Sequence, residues 1–134
     1  MNKEQELIIK EINALNSQIE ERYNKLKELG FNDKELIIKK KLENILNVVC
    51  LVTNVSEEDI KSSTRKKDAM DARRVFFYTV KFNTNIRLAQ MSKFLNRHHA
   101  TAWHSINVMN DLLEYDKETK ETVLKVNELL KKDL

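Results

Sequence analysis

The apolar residues at the start of the chain recur at steps of three and four, which is the spacing of one face of an α-helix. This stripe comprises Ile8, Ile12, Leu15, Ile19, Leu26 and Leu29. Arg22 occupies the one remaining core slot, Tyr23 lies beside it, and Gly30 follows where a helix would end in a left-handed cap. The pattern predicts an amphipathic helix. Such heptads can pair with a second copy or fold back on the same chain, and the spacing favours neither.

A second apolar stripe predicts a second helix after this break. Its members are Leu36, Ile37, Leu42, Ile45, Leu46, Val49 and Val52. Asn32 or Asp33 can cap its N-terminus, and Asn54 can end it in a left-handed conformation. Ser56 then stands three residues before Asp59, a capping arrangement that predicts a further short turn of helix.

The second half of the chain alternates between polar breaks and helical stripes. The segment KSSTRKKDAMD has no period and predicts a basic loop that leads to Asp68, the expected cap of another helix. A short helix follows, then a tight turn at Asn96 and Arg97, then a longer helix over about residues 99–115, after which Asp116 can cap a last helix. The residues expected to face the core are Met70, Val75, Phe76, Phe77, Tyr78, Phe82, Leu88, Met91, Leu95, Ala102, Trp103, Ile106, Met109, Leu112, Leu113, Val123, Val126, Leu129 and Leu130.

The composition also favours helices throughout. The chain has 134 residues, about the size of one domain, with a single Gly and no Pro, whereas sheets joined by tight turns usually need those residues. Cys50 cannot form an internal disulfide and lies in an apolar run, which indicates a buried thiol in a reducing compartment. No apolar stretch approaches the roughly 20 residues that span a bilayer, and the N-terminus lacks the apolar core of a signal peptide. We therefore expect an all-α, cytoplasmic protein with no membrane partner.

The positive charge is concentrated in the centre of the chain. Between Lys61 and Arg97, ten basic residues stand against two Asp residues, a net charge of +8, although the whole chain carries only +3. The ten are Lys61, Arg65, Lys66, Lys67, Arg73, Arg74, Lys81, Arg87, Lys93 and Arg97. A basic centre between acidic flanks indicates contact with a polyanion. The short helix, tight turn and longer helix end this stretch, and they form the outline of a helix-turn-helix, whose second helix lies in the DNA major groove.

Three histidines and a tryptophan fall within FLNRHHATAWHSI, at residues 94–106. Metal ligands on a helix need a spacing such as i and i+4, which His98, His99 and His104 do not have, and no acidic residue or Cys lies among them. A catalytic histidine needs a nucleophile or an orienting acid, but Ser105 points about 100° away from its neighbour His104 on a helix. We therefore expect no metal, no cofactor, no small-molecule substrate and no enzymatic activity.

The front of the longer helix suits nucleic acid better. Its residues are His98, His99, Ala100 and Thr101. The free N–H groups and the positive dipole end of a helix N-terminus favour phosphate oxygens. Imidazole can donate to guanine or accept from an amino group, and an alanine methyl can touch a thymine methyl. Trp103 lies on the apolar stripe and is expected in the core, while His104 suits either a phosphate contact or the core edge.

From about Leu46 to the C-terminus, the chain resembles the C-terminal DNA-binding domain of the bacterial replication initiator DnaA. The blocks NVSEEDIKSSTRKKDAMDARRVFFY, NTNIRLAQMSKFL and NRHHATAWHSI follow the order and spacing of that domain, and LLEYDKETKETVLKVNELLKK corresponds to its closing helices. RHHATAWHS is similar to the family signature Arg-Asp-His-Thr-Thr-x-x-His-Ala. The resemblance implies a Trp-repressor-like helix-turn-helix bundle that binds specific double-stranded DNA in replication initiation or its regulation. No Walker-type glycine loop is present, so the ATPase module of the initiator is not implied.

The resemblance also implies a role for each matching residue. Arg65, helped by Lys66 and Lys67, would enter or flank the minor groove. Arg73, Arg74, Arg87 and Lys93 would anchor phosphates. Arg97, His98, His99, Ala100 and Thr101 would face the major groove, and Thr101 and His104 would support backbone contacts. The chain departs from the signature at His98, which replaces Asp, and at Ala100, which replaces Thr, so we do not expect it to recognise the initiator's usual DNA box.

These observations divide the chain into an N-terminal helix over residues 1–30 and a DNA-binding domain over residues 31–134. The N-terminal helix is a candidate for homodimerisation, which would present two half-sites to DNA. An alternative reading is a helical protein-protein interaction module, or a transcriptional regulator, on the same fold.

Overall fold

The structure is a computed structural model in which residues 3–30 and 33–132 are described. These residues form seven α-helices and no strand, which confirms the predicted all-α class. The helices are α1 (Lys3–Glu28), α2 (Asp33–Thr53), α3 (Glu57–Lys61), α4 (Lys67–Asn83), α5 (Leu88–Phe94), α6 (His99–Tyr115) and α7 (Lys117–Lys132). None of the helices in these ranges is long and apolar enough to cross a membrane.

Helix α4 lies at the centre of the core. It packs against α2, α6 and α7 and also contacts the short helices α3 and α5. Phe76 and Phe77 are fully buried and meet edge to face, with ring centroids 5.7 Å apart. Phe76 also stacks on Phe94 of α5, at a centroid distance of 5.9 Å. The aromatic stack with α5 and the packing against α6 mean that α4 positions both of these helices.

Most helix ends lie where the sequence predicts them. Gly30 ends α1 with a φ of +89°, and Asn54 ends α2 with a φ of 57°; the left-handed region favours these two residue types. The hydroxyl of Ser56 accepts a hydrogen bond from the Asp59 N–H at 3.0 Å, the predicted cap of α3. The candidate cap Asn32 lies outside the described residues.

The predicted cap of α4 is wrong. The helix begins at Lys67, and Asp68 lies inside its first turn, where its carboxylate accepts from the Ala69 N–H at 2.9 Å. An acidic side chain still suits this position, because the positive end of the helix dipole is nearby.

Helix α1 packs along α2 of the same chain. Ile12 is buried in the main core, and Ile19 and Tyr23 form a smaller buried cluster with Leu36 of α2. Two ion pairs cross the same contact and join Arg22 to Glu43 and Lys40 to Glu20. Leu15 and Leu29, which belong to the predicted stripe, stay exposed. Much of the apolar face of α1 is therefore covered within the chain.

Two aromatic residues expected in the core lie on the surface instead. Phe82 is 59% exposed near the end of α4, and Trp103 is 61% exposed on α6. The neighbouring stripe residues Ala102, Ile106 and Met109 are buried as predicted. The inward face of α6 is therefore narrower than the apolar residues of its sequence suggest.

Candidate nucleic-acid interface

The short helix α5 and the longer helix α6 are joined by a tight turn. Asn96 adopts a left-handed φ of 57°, and the Arg97 N–H donates to the Ser92 carbonyl at 2.8 Å, which closes the turn. Met91 and Leu95 on one side of the turn, and Ala102 on the other, are buried. This packing holds the front of α6 at the surface.

His98 caps the front of α6 and is exposed there with the next three residues, His99, Ala100 and Thr101. Its Nδ1 accepts a hydrogen bond from the Ala100 N–H at 3.3 Å, and its ring lies against His99 with centroids 4.4 Å apart. A neutral histidine that accepts at Nδ1 carries its proton on Nε2. His98 therefore presents a hydrogen-bond donor at the helix front, where the initiator signature has an acceptor-only Asp.

A buried arginine of α4 holds the basic loop between α3 and α4 in place. Arg73 is 8% exposed, and its guanidinium donates to four backbone carbonyls of α3 and the loop at 2.7–2.8 Å. The acceptors are Asp59, Ile60, Ser62 and Thr64. Burial, and next the charge of Arg97, lower the pKa of Arg73. The Arg73 side chain is buried and bonded to these carbonyls, so it is not available to contact a phosphate. We therefore do not retain Arg73 among the expected phosphate anchors.

A second arginine ties the same loop to the helix-turn-helix. The guanidinium of Arg97 donates to the Ser62 carbonyl, which also accepts from Arg73. Arg97 lies two residues before His99, and Ser62 lies three residues before Arg65, so extended chain would carry Arg65 at most roughly 11 Å from Ser62. The basic loop and the front of α6 therefore share one side of the molecule. Arg97 is half-buried in this contact, which limits its freedom to reach a base.

The remaining cations around this surface differ in how free they are. Arg65, Lys66, Arg87 and Lys93 are exposed and have no ion pair within the described residues. Lys67 and Arg74, in contrast, both pair with the carboxylate of Asp71, at 2.9 and 3.1 Å. The hydrogen bond to Asp71 is the main cause that raises the pKa of Lys67. Asp71 thus holds two candidate DNA-binding cations in place while neutralising part of their charge.

The histidines do not assemble a metal site in the part of the chain described here. No group of three or more His, Cys, Asp or Glu side chains in residues 3–30 and 33–132 could hold a metal ion. His104 is exposed one turn beyond the helix front, on the side that also carries Ala100. The sequence left open a phosphate contact or a place at the core edge, and the exposure of His104 does not fit the core edge.

Sequence reasoning overlooked Trp103 as a surface residue. A spacing signal was present, because Trp103 follows His99 by four residues and Ala100 by three, the intervals that share a helix face. Its apolar character outweighed that signal. The structure brings Trp103 to the exposed side of α6 with these two residues.

A short helix, a tight left-handed turn and a longer helix with an exposed front define this protein as a helix-turn-helix protein. The family model described as the bacterial DnaA protein helix-turn-helix matches residues 42–108, and the chain belongs to this family. The match includes the basic loop, the turn and the front of α6.

Several curated relatives are bacterial chromosomal replication initiator proteins named DnaA. The one from Bacteroides thetaiotaomicron is 32% identical over 92 residues, which is 68% of this chain and 20% of the relative. The one from Ureaplasma parvum is 34% identical over 100 residues, or 72% of this chain and 21% of the relative. The one from Aliarcobacter butzleri is 35% identical over 81 residues, or 60% and 18%. The chain spans about a fifth of the length of these relatives.

Proposed function

We propose that this chain is a non-enzymatic protein that binds specific double-stranded DNA and acts in replication initiation or its regulation. The observation that carries the proposal is the Ser62 carbonyl, which accepts from both Arg73 and Arg97. This shared acceptor holds the basic loop beside the front of α6. The loop and the helix can therefore contact two neighbouring grooves of one duplex together.

In the proposed complex, the front of α6 enters the major groove. His98 and His99 offer ring nitrogens to base edges, Ala100 offers a methyl group, and Thr101 offers a hydroxyl to bases or backbone. The N–H groups at the helix N-terminus favour a nearby phosphate. Since His98 carries a donor where the signature has an acceptor, the preferred base at that position is one with an acceptor, such as guanine.

The cations around the helix front would hold the duplex through its backbone. Arg65 would enter the minor groove, whose negative potential attracts arginine most strongly where the groove is narrow. Lys66 and Lys67 would flank the minor groove beside Arg65, and Arg74, Arg87, Lys93 and His104 would contact phosphates or sugars. Such contacts fix the orientation of the protein and carry no sequence information directly.

Duplex binding at two salt concentrations tests the proposal. Sequences are first selected from a random duplex pool, and affinity for the best site and for an unrelated duplex is then measured at 50 and 200 mM salt. About five neutralised phosphates predict a loss of roughly 10²–10³-fold in affinity for both duplexes. Sequence specificity predicts that the selected site stays tighter at each salt concentration. An affinity that does not change with salt, or no preference for any duplex, would contradict the proposal.

We also propose that the chain binds DNA as a monomer, with one helix-turn-helix on each site. The support is the packing of Ile12, Ile19 and Tyr23 against α2 within one chain, which uses much of the face that a coiled coil would need. Sedimentation equilibrium of the whole chain should give the monomer mass of 15.9 kDa, and selected sites should lack half-site symmetry. A dimer mass with paired half-sites would favour homodimerisation through α1 instead.

A further inference from the structure

Trp103 is the only tryptophan of the chain and lies in water on α6. Its residue is 61% exposed, whereas Ala102 and Ile106 on the inner face of the same helix are buried. A tryptophan side chain carries 150–250 Å² of mostly apolar area, so leaving it in solvent gives up stabilisation that the core would provide. Packing within the fold therefore does not explain why a tryptophan occupies this position.

Trp103 lies close to the front of α6, the part of the helix that we propose enters the major groove. It lies one turn after His99 and Ala100, about 6 Å further along the helix axis from His99. Side chains on a helix lean toward its N-terminus, so the indole lies over the turn formed by His99 and Ala100. A duplex that receives the front of α6 in its major groove meets the indole next.

We propose that Trp103 is a specificity-determining residue that contacts the 5-methyl group of a thymine in the major groove. The inference rests on the proposed DNA binding. The thymine methyl is the one apolar group that base pairs present in that groove. The indole has one N–H donor and no acceptor, so most of its surface can be satisfied only by an apolar contact. The proposal predicts that the chain requires thymine at one position of its site and discriminates there against cytosine, which lacks the methyl group.

The intrinsic fluorescence of the chain reports on this contact directly, because Trp103 is its only tryptophan. Saturation with a selected duplex should change the emission intensity or wavelength. Trp103→Ala should weaken binding to the selected duplex about tenfold. Because the residue is exposed, circular dichroism and thermal unfolding of the variant should match those of the unsubstituted chain.

A single-methyl substitution in the DNA identifies the contacted base. Each thymine of the selected site is replaced in turn by uracil, which removes only the 5-methyl group. One of these duplexes should lose about fourfold in affinity, the value expected for one buried methyl group. Trp103→Ala should bind that duplex and its thymine counterpart equally, because the lost contact is the same in both changes.

Tyr115→Ala provides a matched control. Tyr115 is also an exposed aromatic residue of α6, at 73%, but it lies about 18 Å further along the axis. Its removal should leave affinity and uracil sensitivity unchanged. If the chain binds duplex but the fluorescence stays constant and Trp103→Ala keeps the thymine preference, this inference fails and the proposed function stands. If the chain binds no duplex, both fail.

Discussion

The contact between α1 and α2 and the contact between the basic loop and the helix-turn-helix use charge in opposite ways. In the first contact, each cation meets a carboxylate, in the pairs of Arg22 with Glu43 and of Lys40 with Glu20. In the second contact, the guanidinium of Arg97 donates to the Ser62 carbonyl of the loop, to which Arg73 of α4 also donates. Both arrangements hold two elements together, but only the second keeps the full positive charge.

This difference explains how a basic surface can be both ordered and attractive to a polyanion. A carboxylate that fixed the loop would cancel the charge that draws in DNA, whereas a carbonyl is a neutral acceptor. The shared Ser62 carbonyl therefore fastens the loop at no cost in net charge. The seam between α1 and α2 has no such requirement, since we assign it no DNA contact.

The largest effect on stability is expected when Arg73, the donor to the loop carbonyls, is replaced. Arg73→Met should lower the free energy of unfolding by about 3 kcal/mol, because it leaves several carbonyls without their donor. Urea denaturation followed by circular dichroism measures this change. Arg74→Met is the control and should cost at most about 1 kcal/mol, since within the described residues the ion pair of Arg74 is with Asp71, near the surface. Equal unfolding midpoints for the two variants would show that the network does not hold the loop.

The next effect should appear in DNA affinity with the fold unchanged. Arg65→Ala should weaken binding to the selected duplex by about 1–3 kcal/mol, because it removes a cation that has no ion pair within the described residues. Lys25→Ala removes the same charge from the exposed side of α1 and should leave affinity within about twofold. Fluorescence anisotropy of a labelled duplex gives both values. The same loss in both variants would mean that only the total charge of the chain matters.

Asp71 is one of two acidic residues within the basic region, and its removal should strengthen DNA binding. Asp71→Asn releases Lys67 and Arg74 from a carboxylate, so affinity for any duplex should rise by about 0.5–1 kcal/mol. Glu121→Gln removes the same charge from a pair with Lys117 in α7 and serves as control. Weaker DNA binding by Asp71→Asn, with Glu121→Gln unchanged, would instead mean that Asp71 is needed to orient its two partners.

The helices could be predicted from the sequence because their signals are local. Gly30, Asn54 and Ser56 act on backbone a few residues away, and the structure has each of them at the expected helix end. The family resemblance likewise depended on residue order and is confirmed by the match over residues 42–108. Neither signal requires knowledge of what surrounds a side chain in three dimensions.

Side-chain environments could not be predicted in the same way. Arg73 and Arg74 are adjacent and identical in type, yet one is buried against carbonyls and the other lies beside Asp71. Adjacent residues on a helix point about 100° apart, and only the position of the loop over α4 decides which one is enclosed. Trp103 was misassigned for the same reason, because an apolar residue type does not reveal how wide the buried face of α6 is.

The last effect concerns the seam between α1 and α2, and it should appear only at alkaline pH. Tyr23 is 6% exposed, and burial, followed by the charge of Glu43, raises its pKa from 10.0 to about 12. Folding thus favours the neutral phenol. The contribution of Tyr23 to the free energy of unfolding is therefore complete below pH 10 and is lost as the pH rises toward 12. Tyr23→Phe has no phenol to titrate. Between pH 8 and 11, the unsubstituted chain should therefore lose about 1 kcal/mol more unfolding free energy than the variant does. Chemical denaturation of both chains at the two pH values measures the difference, and parallel losses would mean that the Tyr23 hydroxyl reaches solvent and that this seam is looser than the carbonyl-fastened loop.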